Sequence, residues 1–232
     1  MAFEPVQRPA NLSDLAYDQL RSRILDGDFP AGQRMSIVSI AEQLNMSRSP
    51  VRAAVERLVT EGLLVMTAAG IELAHLDHLD LIEGLQVRSR LEGLAARLAT
   101  DRLSAADLDR LRENLTRFEA AVRGDDTVRA RRLDLEFHSI IRDRCGNRTL
   151  VENLRRIQAR VIVATYTTAW VAVHQAVVAE HAAIVKAFEA RDAETAERAA
   201  IDHLEGLIMR VTEHFGTPDK DAPDEPGVSA LV

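Results

Sequence analysis

The sequence predicts a mainly α protein in two parts. An N-terminal winged helix-turn-helix would span residues 12–75, and a C-terminal all-α bundle of six to seven helices residues 76–215. Three observations carry this expectation. Apolar residues recur at helical spacing along most of the chain. Strand-like signals are confined to residues 63–73, around one glycine-containing turn. The chain is 47% apolar but only 4% aromatic, so Leu, Ala and Val must fill its cores, which suits helix packing. A length of 232 residues allows two compact domains. Residues 1–11 read as a flexible arm. Residues 216–232, with Pro218, Pro223 and Pro226 among acidic residues, read as a disordered tail.

In the first part, Leu12, Leu15, Ala16, Leu20 and Ile24 form an amphipathic helix that ends at Gly27, and residues 28–32 make a turn. A second helix runs from about Ser36 to Leu44 and buries Ile37, Ile40, Ala41 and Leu44. Asn45-Met46 break it. Ser47 suits the N-cap of a third helix, its hydroxyl accepting orphan amides. Pro50 sits in that helix's first turn, where a missing N–H costs little. Val51, Val55 and Leu58 form its buried stripe, which leaves Arg48, Ser49 and Arg52 on the other face near the N-terminus. That is the layout of a DNA recognition helix. Arginine can bind guanine O6 and N7 through two parallel bonds, or clamp a phosphate. Glu61-Gly62 stop the helix, and residues 63–66 and 71–73 then read as two short strands around Ala68-Ala69-Gly70.

Taken in order, Tyr17, Ile24, Gly27, Pro30, Gly32, Leu44, Ser47-Arg48, Pro50-Val51-Arg52, Leu58 and Glu61-Gly62-Leu63 resemble the DNA-binding domain of GntR-family transcription regulators. The resemblance covers residues 12–74 and implies double-stranded DNA with a palindromic operator as partner. Two positions depart from the family pattern. Ile37, Val38 and Ser39 stand where many members carry Arg or Glu-Arg, and Ala68-Ala69 precede the wing glycine where many carry a basic residue. Residues 1–75 hold seven Arg and no Lys against nine carboxylates. DNA affinity rests largely on phosphate neutralisation, so such a domain must cluster its few arginines. Arg48 and Arg52 cluster by helical spacing, and Arg34 and Arg57 are candidates to join them. Two copies would be needed for tight binding.

The second part reads as helical throughout. A helix from about Leu79 to Thr100 carries Leu81, Leu85, Leu91, Leu94, Ala95 and Leu98. Ser104 to Asp107 resembles a capping box opening the next helix, which ends at Gly124. Asp125 or Asp126 caps a third, ending at Gly146. Asn147 or Thr149 starts a fourth, to Val163 or slightly beyond. A fifth spans about 174–190, and a sixth Ala193 to His214.

Four polar groups on three of these helices can carry chemistry. Asp134 and His138 are four apart and share a face. His138 lies beside the stripe of Leu133, Phe137, Ile140 and Ile141. His181 is three, four and seven residues from Ile184, Val185 and Phe188. His203 has Ala199, Ala200 and Gly206 as neighbours, which leaves room beside it. One carboxylate and three imidazoles converging in a bundle suit a divalent metal ion: Zn, Ni, Fe or Mn. Singly, each group also suits an ordinary role, as a surface ion pair or a satisfied core histidine. His174, seven residues before His181, could line the same cavity or start a helix. His75, His78 and His214 read as linker or surface residues.

Together with Arg88, Leu91-Glu92, Phe137, Gly146-Asn147, Leu150, Glu180, Ile184, Asp192 and Ala196, this set resembles the FCD ligand-binding domain of the FadR-like branch of the GntR family, over residues 78–212. The resemblance implies that Asp134, His138, His181 and His203 hold the metal and that a small organic acid completes its shell. It also places Arg88 near the cavity as a carboxylate anchor. Arg142, one turn after His138, is a further effector-binding candidate.

No apolar run reaches membrane-spanning length, and no charged-then-apolar leader opens the chain, so a cytoplasmic protein without a membrane partner is expected. The lone Cys145 excludes an internal disulfide. The expected function is a homodimeric, ligand-responsive transcription regulator, by family habit a repressor, and not an enzyme. The alternative is a helical metal-dependent hydrolase with Glu180 as its one evident general base.

Overall fold

The computed structural model describes residues 11–29, 34–167 and 175–216. All of the expected arm except Asn11, the Pro30–Gly32 turn, His174 and nearly all of the expected tail lie outside the described residues.

Helix α1 (Leu12–Asp26) is capped by the Asn11 side chain on the Ser13 amide, and Gly27 closes it in the left-handed conformation. Helix α2 (Ile37–Leu44) is capped by Ser36 on the Ser39 amide. It ends at Asn45, whose φ of 50° is one that asparagine tolerates. Helix α3 (Arg48–Thr60) packs Val51, Ala54, Val55 and Leu58 against Ala16, Leu20 and Ile24 of α1 and Ile40 and Ala41 of α2. Ser47 takes the extended N-cap conformation, but its hydroxyl makes no cap hydrogen bond, contrary to the expectation. The reason is local. The third residue of the helix is Pro50, which has no amide to offer.

Strands β1 (Leu64–Thr67) and β2 (Gly70–Leu73) pair antiparallel, with Leu64 opposite Leu73 and Thr67 opposite Gly70. Met35 adds an isolated bridge to Ile71, with both backbone bonds formed at 2.7 and 2.8 Å. Gly70 has a φ of 137°, and a Cβ there would lie 2.8 Å from the Met35 carbonyl, so the bridge requires glycine. The hairpin and the helix-turn-helix together form the winged domain.

The bundle contains α4 (His78–Ala99), α5 (Ala105–Arg123), α6 (Thr127–Arg144), α7 (Arg148–Thr167), α8 (Gln175–Glu189) and α9 (Ala193–Phe215). Asp77 and Ser104 form complete capping boxes with Asp80 and Asp107, and Asp126, rather than Asp125, caps α6. Helix α4 is central: it packs on α9, α7 and α6. Its buried arc is therefore wider than an apolar stripe and includes Arg88, Ser89, Glu92 and Gly93. Leu94, though apolar, lies outside that arc and is 39% exposed. At Gly93 a Cβ would approach Ile201 to 2.7 Å, so glycine lets α9 lie close.

The two parts share an apolar cluster. It runs from Ala16 and Leu58 through Leu73, Ala74 and Leu76 to Leu81, Leu85, Val161, Leu204 and Leu207. The connecting segment after β2 is thus packed into the core through Ala74 and Leu76, with His75 and Asp77 turned outward.

Candidate metal centre and DNA-reading face

Helices α6, α8 and α9 bring Asp134, His138, His181 and His203 to one point. One ligand atom from each lies within 4.8 Å of the others. Asp134 Oδ1 is 3.6 Å from His138 Nε2 and 3.5 Å from His181 Nε2. The three rings are buried, and they stack edge-on or face-on with centroids 4.8–5.3 Å apart.

Two of the rings are oriented from behind. His138 Nδ1 donates to Glu92 Oε2 at 2.6 Å. His203 Nδ1 donates to Glu180 Oε2 at 2.7 Å. A carboxylate on one ring nitrogen fixes the tautomer and turns the other nitrogen toward the shared point, the usual arrangement around a metal-ligating histidine. His181 is instead sandwiched by apolar rings, stacked on Phe137 at 4.1 Å and against Phe118 at 5.1 Å. His138 Nε2 and both His181 nitrogens are buried without a hydrogen-bond partner. Orphaned buried nitrogens are costly and call for a ligand. Bonds of about 2.0–2.2 Å to a central ion would need only a small contraction of the cluster. The donor set fits a divalent metal.

The charges support the same geometry. Burial alone would keep His138 neutral, but Glu92 and then Asp134 outweigh it and push its pKa up to about 9. Burial also works against the Asp134 carboxylate, yet His138 and His181 hold it well below the ordinary range. Glu92 is likewise lowered against its burial, by Arg88 and His138. Burial, with the His203 charge beside it, pushes His181 well below the ordinary imidazole value. The metal-free cluster therefore holds a proton on His138 and a neutral His181.

Arg88 is 4% exposed. Its Nε bonds Glu92 Oε1 at 2.5 Å, while Nη2 is buried without a partner. It lines a cavity of about 50 Å³ together with Asp134, His203, Thr165 and Leu207. That space suits a few water molecules, so a larger ligand would have to widen it. Arg142 does not line this cavity but a smaller one that it shares with Glu92 and His138. Its Nη1 bonds Gln158 and its Nε bonds Asp143, which turns it toward α7. Gly206 does not leave empty room beside His203. The space is taken by Glu180 and Arg210, which pair at 2.8 and 3.1 Å.

Sequence reasoning quoted Glu92 without giving it a role and weighed Glu180 only as a hydrolytic base. The structure places both behind histidines. The available signal was the i,i+4 spacing of Arg88 and Glu92, which on a buried face marks a pair with inward polar ends.

In the winged domain, Ser47, Arg48, Ser49 and Arg52 are all exposed on one end of α3. Among the described residues Arg48 and Arg52 make no ion pair or side-chain hydrogen bond. Arg34 is exposed but lies 3.7 Å from Glu72. Arg57 does not join them, because it bonds Asp14 at 2.7 Å and stacks over the Tyr17 ring at 3.9 Å.

Family models match two segments. Residues 12–68 match the model described as bacterial regulatory proteins of the gntR family, and residues 83–206 match the FCD domain. The chain belongs to the GntR family, in its FadR-like branch with an FCD domain. This GntR-family chain is 28% identical to an uncharacterized HTH-type transcriptional regulator, YdhC, of Bacillus subtilis, over 81% of the chain and 85% of the relative. It is 28% identical to the probable D-xylose utilization operon transcriptional repressor of Paenarthrobacter nicotinovorans, over 87% and 89%. Among solved structures, McbR/YncC of E. coli shares the fold with a TM-score of 0.77 at 24% identity, covering 89% of this chain and all of that one. The protein is a transcription regulator of the GntR/FCD type. Its helix-turn-helix domain implies DNA as a partner, and its FCD domain a small-molecule effector. The hydrolase alternative has no support among these relatives. Among the described residues no helix is long and apolar enough to cross a membrane.

Proposed function

We propose that this regulator is a homodimer whose FCD domain holds one divalent metal ion on Asp134, His138, His181 and His203. A small carboxylate effector would bind against that metal and Arg88. One observation carries the reading: four buried nitrogens, one on His138, two on His181 and one on Arg88, lack hydrogen-bond partners in the cluster around the Asp134 carboxylate. A bound metal would take His138 Nε2 and His181 Nε2 as ligands and would supply Lewis acidity for an oxygen ligand. Glu92 and Glu180 orient His138 and His203 from behind. Arg88, fixed by Glu92, offers its free Nη2 to the second oxygen of a carboxylate.

At the other end, Arg48 and Arg52 read or clamp the operator, with Ser47, Ser49 and Arg34 on its phosphates. The unbonded amides at the start of α3 favour the same phosphates. Effector binding alters the placement of the two winged domains only to the extent that it prefers one arrangement over the other. Repression relieved by effector is the preferred sign, and the repressor name of the Paenarthrobacter relative supports it. The cluster shared by the two parts gives the movement a path, because Leu81, Leu85 and Val161 touch the same core as Val55 and Leu58.

A two-fold protein matches a palindromic operator. Sedimentation of the full chain at micromolar concentration is therefore expected to give twice the 25.7 kDa monomer mass. A monomer under those conditions would contradict the dimeric reading. Turnover of esters or lactones by the metal-loaded protein would favour the hydrolase reading instead.

A further inference from the structure

A second cavity, separate from the metal site, lies where α1 of the winged domain meets α6 and α7. It encloses about 190 Å³. Arg21 enters it from α1, Arg142 from α6 and Arg155 from α7. Three guanidinium groups and no carboxylate line it, in a chain of net charge −7. The arginines are held toward one another. Asp143 Oδ1 accepts from Arg142 Nε at 3.1 Å and from Arg155 Nη2 at 3.5 Å. Arg142 Nη1 donates to Gln158 Oε1 at 2.8 Å. Arg21 Nη2 donates to the Arg155 carbonyl at 3.0 Å, across the junction between the two parts. These bonds use only some of the five N–H groups each guanidinium carries. Asp143 pairs with Arg142 and Arg155, and Glu61 lies 4.0 Å from Arg21, but neither acid lines the cavity, so the guanidinium groups turned into it meet no carboxylate there.

We propose that this junction cavity is an anion site for a small multivalent anion, bearing phosphate or clustered carboxylate groups. The planar guanidinium fork matches both chemistries in bidentate fashion. Because the cationic walls come from both parts of the chain, a bound anion ties α1 to α6 and α7. Leu135 and Ile162 line this cavity and also the one beside Asp134 and His203, so the two sites share a wall. The regulatory consequence of that sharing rests on the regulator reading; the binding itself does not. Arg142 thereby gains a ligand other than the metal-bound effector.

The test is calorimetry of the full-length protein, without added metal, against pyrophosphate and against citrate. At least one probe is expected to bind. Preference for pyrophosphate identifies a phosphate-bearing ligand, and preference for citrate a polycarboxylate. Arg155→Gln and Arg21→Gln should each weaken the preferred probe by about ten-fold or more, while Arg88→Gln leaves it unchanged. Arg155 is half-exposed, so its replacement spares the fold even if Arg21→Gln disturbs packing. Three results would each overturn the proposal: no binding of either probe at millimolar concentration, full-strength binding in both variants, or loss of binding in Arg88→Gln.

Discussion

Arg52→Ala is expected to weaken binding to the native operator by about 1–3 kcal/mol, the range for a bidentate base contact. Arg52 and Arg48 lie one turn apart on the exposed face of α3, with no acidic partner among the described residues. They are free to meet DNA without first breaking an ion pair. Arg57 is a useful control. It is committed to Asp14 and Tyr17, so Arg57→Ala should affect stability more than operator affinity. In a domain with so few cations, each lost phosphate contact should also flatten the salt dependence of binding by about one unit of log–log slope. Gel-shift titration at several salt concentrations, with circular dichroism as a folding check, measures both. Wild-type affinity in a folded Arg52→Ala protein would remove this residue from the interface.

The second large effect concerns the metal. Saturating the site at a hundred-fold excess over Kd should stabilise the protein by about 2.7 kcal/mol. For a chain of this size, that corresponds to a rise in Tm of roughly 5–10 °C. In His138→Ala, His181→Ala and Asp134→Ala the rise should be largely lost. The quantity compared is the shift on adding metal to each variant, so packing changes caused by the substitution cancel. The effect should also depend on pH with a defined sign. Burial opposes a charge on His138, but Glu92 and Asp134 raise its metal-free pKa to about 9, so at neutral pH the ring carries a proton. A metal takes only the neutral ring, so binding must expel that proton. Affinity should therefore fall steadily as pH is lowered from about 9 toward 6, rather than only below the ordinary imidazole value. An affinity flat across that window would show that His138 is not a ligand.

How far the sequence carried depended on whether a feature is local. The caps at Ser104 and Asp126 were legible within a residue, because each joins a side chain to an amide three positions away, whereas those at Asn11, Ser36 and Asp77 were not singled out. The Ser47 cap bond was misjudged even though Pro50 announces the missing amide. Asp134, His138, His181 and His203 were singled out together through the resemblance to the FCD domain, since each alone also suits an ordinary role, and the structure brings the four together. The i,i+4 spacing of Arg88 and Glu92 marks an inward pair, but the contacts of Glu92 and Glu180 with the histidines were not readable. Glu92 meets His138 only because α4 packs on α6, and Glu180 meets His203 only because α8 packs on α9. Nothing in the spacing of either helix supplies that contact. Apolar spacing also marks only part of what α4 buries: covered on several sides, the helix buries Arg88, Ser89 and Glu92 and leaves Leu94 39% exposed. Arg142 was placed with His138 because the two are one turn apart; its side chain bonds Gln158 and Asp143 and lines a small pocket with Glu92 and His138 rather than the cavity beside Arg88 and Asp134.

The claim at the centre of this account is that the metal and the effector share one site. Calorimetry of small carboxylates against metal-loaded and metal-stripped protein tests it most directly, with His203→Ala and Arg88→Gln alongside. The expected result is binding to the metal-loaded wild type, loss of binding on stripping or in His203→Ala, and weakened binding in Arg88→Gln, while operator affinity without effector stays near wild type. Stripped protein that still binds its carboxylate at full strength would contradict the account.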